Sequence, residues 1–323
     1  MVKMNDPYAV AVVPTKLCSG RPLSRTERWL SRGKITSLPR GKEMLDHVLA
    51  YLSIESPGSG YAALRYRGQG RQETGWIAAA DPLYLRPRMR DVVAHPFIAG
   101  QLDSHDFEAL FESLQTTLGD NSQMQFESNR VHGYLKCKQP IATAGVSTDV
   151  IDGQVPTKYE PRGISAGSYQ TLQTEVQMLL HQNSINHRIE KVGGLPVNAL
   201  WFWGGGFYPH IKECDLPLLF SEDPLFNGYW ASCGAQTRLW PGDFGSCIDK
   251  TSGSFVSVLP NLNDDSAQRQ IEILLRHVKK GDLKSAFLLF SDYFSIEVKR
   301  HDFFRVWRGI SPLFDNRVND ERE

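Results

Sequence analysis

One stretch constrains this chain more than any other: Tyr169 to Pro209, YQTLQTEVQMLLHQNSINHRIEKVGGLPVNALWFWGGGFYP. Leu172, Val176, Leu179 and Leu180 recur at helical spacing, and Ser168 is placed to cap the first turn. A charged turn follows. Gly193 and Gly194 then end the helical register, and Pro196 prevents its return. Asn198 to Trp203 is a short apolar run with three large side chains, the pattern of a strand buried on both faces. Gly204, Gly205 and Gly206 come next and predict a turn beyond that strand, where open α/β sheets receive ligands. Two readings stay open for the glycines: a ligand-binding turn, or a tight loop that needs small residues. No GKS/T helix follows, so this is not a P-loop, and the spacing does not fit a dinucleotide fingerprint.

At these residues the chain resembles archaeal-type cofactor-independent phosphoglycerate mutases, whose corresponding segment reads roughly iLkdHPvNxxRxxxGxxPaNxxwlrGxGxxP. Asn186, Arg188, Pro196, Asn198, Gly204 and Gly206 fall on that pattern. It resembles still more closely the bacterial RpfE-type regulatory proteins, through Trp201, Trp203, the three glycines and EVQMLLH at Glu175 to His181. GWIAAADPLYLRP resembles the RpfE-type WLRADPVHLRPDRD and points to Asp81 as a site residue; the alternative for Asp81 is an Asp-Pro turn between strands. FFRVWRGISPLF resembles that family's ending. The resemblance implies an α/β fold with a mixed, mainly parallel sheet, helices on both faces and an alkaline phosphatase-like core.

Bulk properties narrow the function. The 323 residues carry 36 basic and 36 acidic side chains, so no global field steers nucleic acid or membrane to the surface. Arginines cluster between Arg21 and Arg40 and again from Arg65 to Arg90. They lack the interleaved aromatics of a single-strand binder, and a solvated face explains them better. Five widely spaced cysteines form no CxxC pair, which argues against structural zinc and for a reducing compartment. With no run of membrane-spanning length and no cleavage signal at the start, the expectation is a cytoplasmic chain.

Taken in order, Tyr8 to Val13 predicts a first strand, PLSRTERWLSRG a helix with Pro22 early and Leu23 on its inner face, and Lys42 to Ile54 a second helix. Tyr61 to Arg67 and Trp76 to Leu85 read as strands. Asp103 to Leu118 is an amphipathic helix with Ser104 as its cap. A hairpin is expected within 123–137, and 140–167 reads as a long loop suited to a lid or partner contact. Further on come a strand at Leu216 to Phe220, a short helix in SEDPLFNGYWASCG, a strand at Phe255 to Leu259 and a helix at Ser266 to Lys280. A hairpin at 286–299 and an aromatic helix from His301 to Gly309 close the fold. The expectation is one domain over 1–323, with a loop-rich insertion around 120–167 and a C-terminal hairpin plus helix at 285–310.

The chemistry of the resembling mutases needs two metal ions held by aspartates and histidines, with a hydroxyl nucleophile. Their signatures include an Asp near the first strand, a DxxGH and an ADH. Here the first strand ends VVPT, Asp264 and Asp265 lack the following histidine, and no ADH occurs. Neither a GxSxG elbow nor a convincing thiol site is present; Cys214 or Cys233 near His210 reads better as buried, inert cysteine. Trp201, Trp203, Tyr208 and Trp230 read either as core or as an aromatic cage, with Trp203 the better site candidate. No catalytic residue, metal or cofactor is therefore expected. The leading expectation is a non-catalytic regulatory protein with a pocket for a phosphorylated small molecule. Arg188 would contact the anion, Asn186 and Asn198 would orient it, and Trp203, Asp81 and the amides of Gly204, Gly205 and Gly206 would complete the site. An active mutase or metal-dependent phosphatase, and a protein-interaction module, are the alternatives.

Overall fold

The computed structural model describes residues 6–18, 24–97, 101–120, 123–163, 166–251, 253–305, 307 and 312–314. In chain order its first elements are β1 (Tyr8–Val13), α1 (Arg25–Leu30), β2 (Lys34–Ser37), α2 (Met44–Tyr51), α3 (Tyr61–Gly68), β3 (Trp76–Pro87), β4 (Val92–Pro96) and α4 (Ser104–Leu118). The middle of the chain supplies β5 (Met124–Asn129), β6 (His132–Cys137), α5 (Thr148–Ile151), α6 (Ala166–Gln182), α7 (Ser184–Lys191) and β7 (Ala199–Gly206). The last third holds β8 (Leu218–Phe220), α8 (Pro224–Ser232), β9 (Thr237–Arg238), α9 (Phe244–Asp249), β10 (Phe255–Val258), α10 (Asp264–Lys280), β11 (Ser285–Phe290) and β12 (Phe294–Lys299). The chain is a mixed α/β protein whose contacts cluster into two compact units, one of 1–40, 44–54 and 212–323, the other of 41–43 and 55–211.

The first unit contains a seven-stranded sheet ordered β2-β12-β11-β1-β10-β8-β9 among the described residues. β1 lies parallel to β10 and β11, and β8 parallel to β10 and β9; β12 and β2 close one edge antiparallel. The β-branched and apolar runs of β1, β10 and β11 are buried on successive residues, as a central strand covered on both faces requires. α10 shows how the sequence sets one of these elements. Asn263 Oδ1 accepts the Ser266 amide at 2.8 Å, acids fill the first turn and Lys279 and Lys280 the last, so cap and dipole agree. Ile271, Leu274, Leu275 and Val278 are fully buried at its inner face, and the helix packs on α1, β11 and β12. In α1, Ser24 and Glu27 form a capping box, whereas the expected Pro22 and Leu23 lie outside the described residues. After β12 a 3₁₀ turn covers Arg300–Phe304; most of the rest of the expected aromatic helix lies outside the described residues.

The second unit is built on an antiparallel five-stranded sheet around the long strand β3. β7 runs along one side of β3, while β6 pairs with its first residues and β4 with its last on the other. Pro82 falls in the gap between those two partners.

Six expectations change here. Tyr61 to Arg67 is a helix, not a strand. Residues 61–66 are all buried, Arg65 among them, so no polar face alternates with an apolar stripe and periodicity does not separate this helix from a buried strand. The glycines do not form a turn after β7 but continue it. Ala79 and Ile77 of β3 face Trp203 and Gly206, so one extra β7 residue bulges out at Gly204, whose φ is +60°. The charged segment after α6 is the helix α7, started by Asn183, whose side chain accepts the Ile185 amide at 2.9 Å; Ser168 lies inside α6 rather than capping it. Asp103, not Ser104, caps α4. Within the expected long loop, α5 and a 3₁₀ turn at Pro156–Lys158 are ordered elements, and Ala144 forms a bridge to Trp203.

Candidate functional site

The predicted residues lie in the second unit, and the structure separates them into three groups. Asp81 and Trp203 come together. Strand alternation and the antiparallel register place them diagonally on neighbouring strands, since Asp81 faces Trp201 and Ala79 faces Trp203. Trp203 Nε1 donates to Asp81 Oδ2 at 2.7 Å, and Arg65 Nη1 donates to the same oxygen at 2.7 Å. Arg65, on the buried face of α3, also donates from Nε to Tyr134 Oη at 3.1 Å and from Nη2 to the Gly133 carbonyl at 3.0 Å. Its guanidinium lies over the Tyr134 and Trp203 rings, at 4.7 and 5.2 Å from their centroids. Tyr134 Oη passes the network to Gln69 at 2.8 Å.

Arg65 is 5% exposed and Asp81 6%, so this is a buried ion pair held by α3, β3, β6 and β7. Burial alone would raise the Asp81 pKa; the Arg65 charge and the two donors outweigh it and hold the carboxyl below its usual range. Tyr134 is pushed up to about 12, chiefly by burial. His132 is pushed down to about 4, first by burial and then by the Arg65 charge, so it is neutral near pH 7. A carboxylate this acidic and enclosed is a poor general base. Its chemistry is that of an electrostatic pin, with Asp81 Oδ1 buried and unpartnered.

The second group holds backbone in place. Asn186 is buried, donates to the Leu180 and Val197 carbonyls at 2.7 Å each and accepts the Val197 amide at 3.0 Å, tying α7 to the approach of β7. Asn198 accepts the Leu85 amide at 2.6 Å and donates to its carbonyl at 3.0 Å, extending the β3–β7 ladder by a side chain. The glycine amides have partners too: Gly204 donates to the Ala144 carbonyl at 2.9 Å and Gly205 to Thr143 Oγ1 at 3.1 Å. A Cβ on Gly206 would lie 2.7 Å from the Gly60 backbone nitrogen, and one on Gly205 would lie 2.6 Å from the Trp76 ring. The glycines let α3 and its neighbours approach the strand.

Arg188 stands apart. Two residues on from Asn186 it points to the opposite side of α7, is exposed and pairs with Asp106 of α4. Of the aromatic-cage candidates, Trp201 Nε1 is bound to the Val146 carbonyl at 2.8 Å. Trp230, in the first unit, is bound to the Pro217 carbonyl at 2.8 Å. Burial raises the Cys233 and Cys247 thiols to about 12 and Cys137 to about 11, which keeps them unreactive. Among the described residues no three His, Cys, Asp or Glu side chains converge as a metal set would. No helix among them is long and apolar enough to cross a membrane. Arg65, the centre of the buried network, reads in sequence as one more arginine of a basic stretch. Its signal was the glycine-bounded GYAALRYRG, once read as a helix.

No known protein-family profile matches the chain. Over 135 residues it is 24% identical to a probable 2,3-bisphosphoglycerate-independent phosphoglycerate mutase of Geobacter sulfurreducens, covering 40% of this chain and 33% of that protein's length. Among solved structures, the cofactor-independent phosphoglycerate mutase of Thermoplasma acidophilum superposes with a TM-score of 0.40 at 17% identity, over 91% of this chain and 89% of that one. The PH0037 protein of Pyrococcus horikoshii gives 0.48 at 11% identity, over 92% and 88%.

Proposed function

We propose that this chain is a cytoplasmic regulatory protein, of the kind its RpfE-like motif suggests, on a phosphoglycerate mutase-like scaffold that no longer performs the chemistry. The observation that carries this reading lies at the carboxyl ends of the parallel strands, where open α/β sheets receive ligands. Metal-dependent phosphoryl transfer would need carboxylates and a hydroxyl free to ligate and attack there. Thr15, just past β1, instead donates from Oγ1 to the Leu262 carbonyl at 3.0 Å and accepts the Leu262 amide at 3.2 Å. Asp223, after β8, caps α8 through the Leu225 and Phe226 amides at 2.8 and 3.0 Å. Asp264 and Asp265, after β10, enter the first turn of α10.

The regulatory ligand in this reading is a small phosphorylated molecule. Of the predicted contacts, Arg188 offers an exposed guanidinium, with Asp106 as the counter-ion an anion would displace; Asn186 ties the same helix to the approach of β7. Thermal shift of the full chain against phosphorylated metabolites, with and without Mn²⁺, tests this. A metal-independent shift lost in Arg188→Ala is the expected result. The distant match to the Geobacter mutase favours a second reading, an active phosphotransferase, and Mn²⁺-dependent turnover of phosphoglycerate would establish it and end the first.

A further inference from the structure

The first unit carries a cavity of about 1050 Å³ that none of the motifs above reaches. It lies at the amino ends of the parallel strands, opposite the edge discussed above. Tyr8 opens β1, Ser285 opens β11, Lys34 opens β2 and Lys299 ends the antiparallel β12. Register explains the gathering: Ser285 faces Lys299, and Glu297 faces Lys34.

The lining has more positive charge than its acids balance. Lys284 Nζ lies 2.5 Å from Asp6 Oδ2, and Lys299 Nζ 3.2 Å from Glu297 Oε1. Lys34 and Arg300 line the same cavity, both exposed, and no ion pair engages either among the described residues. α2 and α10 end at this rim, and each helix terminus contributes roughly half a negative charge. Together they offset about one of the two surplus cations. Gly281 ends α10 at φ +98°, and a Cβ there would lie 3.0 Å from Arg300 Nη1, so the glycine makes room for the guanidinium.

The floor is aromatic. Tyr51 stacks on Phe287 with centroids 4.0 Å apart, and half-buried Tyr8 meets it edge-on at 6.2 Å. Tyr51 Oη is buried beside the Ser285 hydroxyl and the Glu297 carboxylate. Burial first, then the Glu297 charge, push its pKa up to about 12, so it keeps its proton. A cavity of this size accommodates a small metabolite.

We infer that this cleft binds an anion that carries a planar ring, of the mononucleotide class. Lys34 and Arg300 take the anionic end, and the Tyr8 ring stacks against the planar group. The inference does not rest on the regulatory reading, since phosphoglycerate turnover and nucleotide binding are measured separately.

Titration calorimetry of the full chain with adenosine 5′-monophosphate, adenosine and ribose 5-phosphate tests it. The mononucleotide is expected to bind at least tenfold more tightly than either half. Lys34→Ala and Arg300→Ala, both surface changes, should each weaken it about tenfold, the loss of one charge-assisted contact. Tyr8→Leu, which removes the ring, should weaken it several-fold, and Arg188→Ala should leave it unchanged. Absence of mononucleotide binding, or binding indifferent to both cation substitutions, overturns the site. Ribose 5-phosphate binding as tightly as the mononucleotide overturns the ring contact, and loss of binding in Arg188→Ala alone moves the ligand to the second unit.

Discussion

Removing the Asp81 carboxylate tests whether the Arg65–Asp81–Trp203 cluster is a structural pin. In Asp81→Ala, Arg65 keeps Tyr134 and the Gly133 carbonyl but loses its counter-charge, in a place where it is only 5% exposed. Breaking a buried pair by deleting one partner costs about 3–5 kcal/mol. Trp203 Nε1 also loses its acceptor, a desolvation penalty of about 1–3 kcal/mol. Because one oxygen serves both donors the two losses overlap, and about 4 kcal/mol is expected in total. That is a large part of the roughly 5–15 kcal/mol a domain has. With a urea slope of about 3 kcal/mol/M, the midpoint should fall by about 1.3 M. Replacing both charges with apolar side chains of similar size, Arg65→Met with Asp81→Leu, should recover the part of the loss that comes from the unpaired charge, leaving about 1–3 kcal/mol for Trp203 Nε1 and the Gly133 carbonyl, which stay without partners. Urea unfolding of parent, single and double variants, followed by tryptophan fluorescence, closes the cycle. A single-variant cost below about 1 kcal/mol, or a double variant as unstable as Asp81→Ala, would refute the reasoning.

Two further outcomes follow from the same network and the bulge. His132 has a folded pKa of about 4 against an ordinary 6.5. The unfolded chain therefore takes up that proton first, and stability present above pH 6.5 is lost as pH falls toward 4. The loss is on the order of 3 kcal/mol, and His132→Gln should flatten urea midpoints across that window; Asp81, held below its usual range, adds a further loss only at more acidic pH. Gly206→Ala sets a Cβ 2.7 Å from backbone at Gly60, which cannot swing aside, and should cost about 2–3 kcal/mol. Gly204→Ala, with φ +60° and its nearest contact at 3.1 Å, should cost about 1–2 kcal/mol; equal melting temperatures for the two would contradict the packing account.

Where a segment carries its own instructions, the chain alone determined its structure. α4 and α10 were legible because an apolar stripe, a capping side chain and a terminal glycine or basic turn all lie within the segment. β1, β10 and β11 were legible as unbroken apolar runs, and together with the helices they indicated a mixed α/β protein. Tertiary structure decided what depends on neighbours. GYAALRYRG became a helix because it is enclosed on every side, which erases the periodicity that distinguishes helix from strand. The glycines became a bulge inside β7 because Gly60, Tyr61 and Trp76 press on that strand, and only their approach reveals why a side chain is excluded. Asn186 and Arg188 belong to one motif in sequence, yet two residues along a helix turn them to opposite sides. Asp81 found its counter-charge 16 residues away and its indole donor 122 residues away. Local chemistry is written along the chain, whereas the partner of a buried charge is set by which distant elements pack together to exclude water from it.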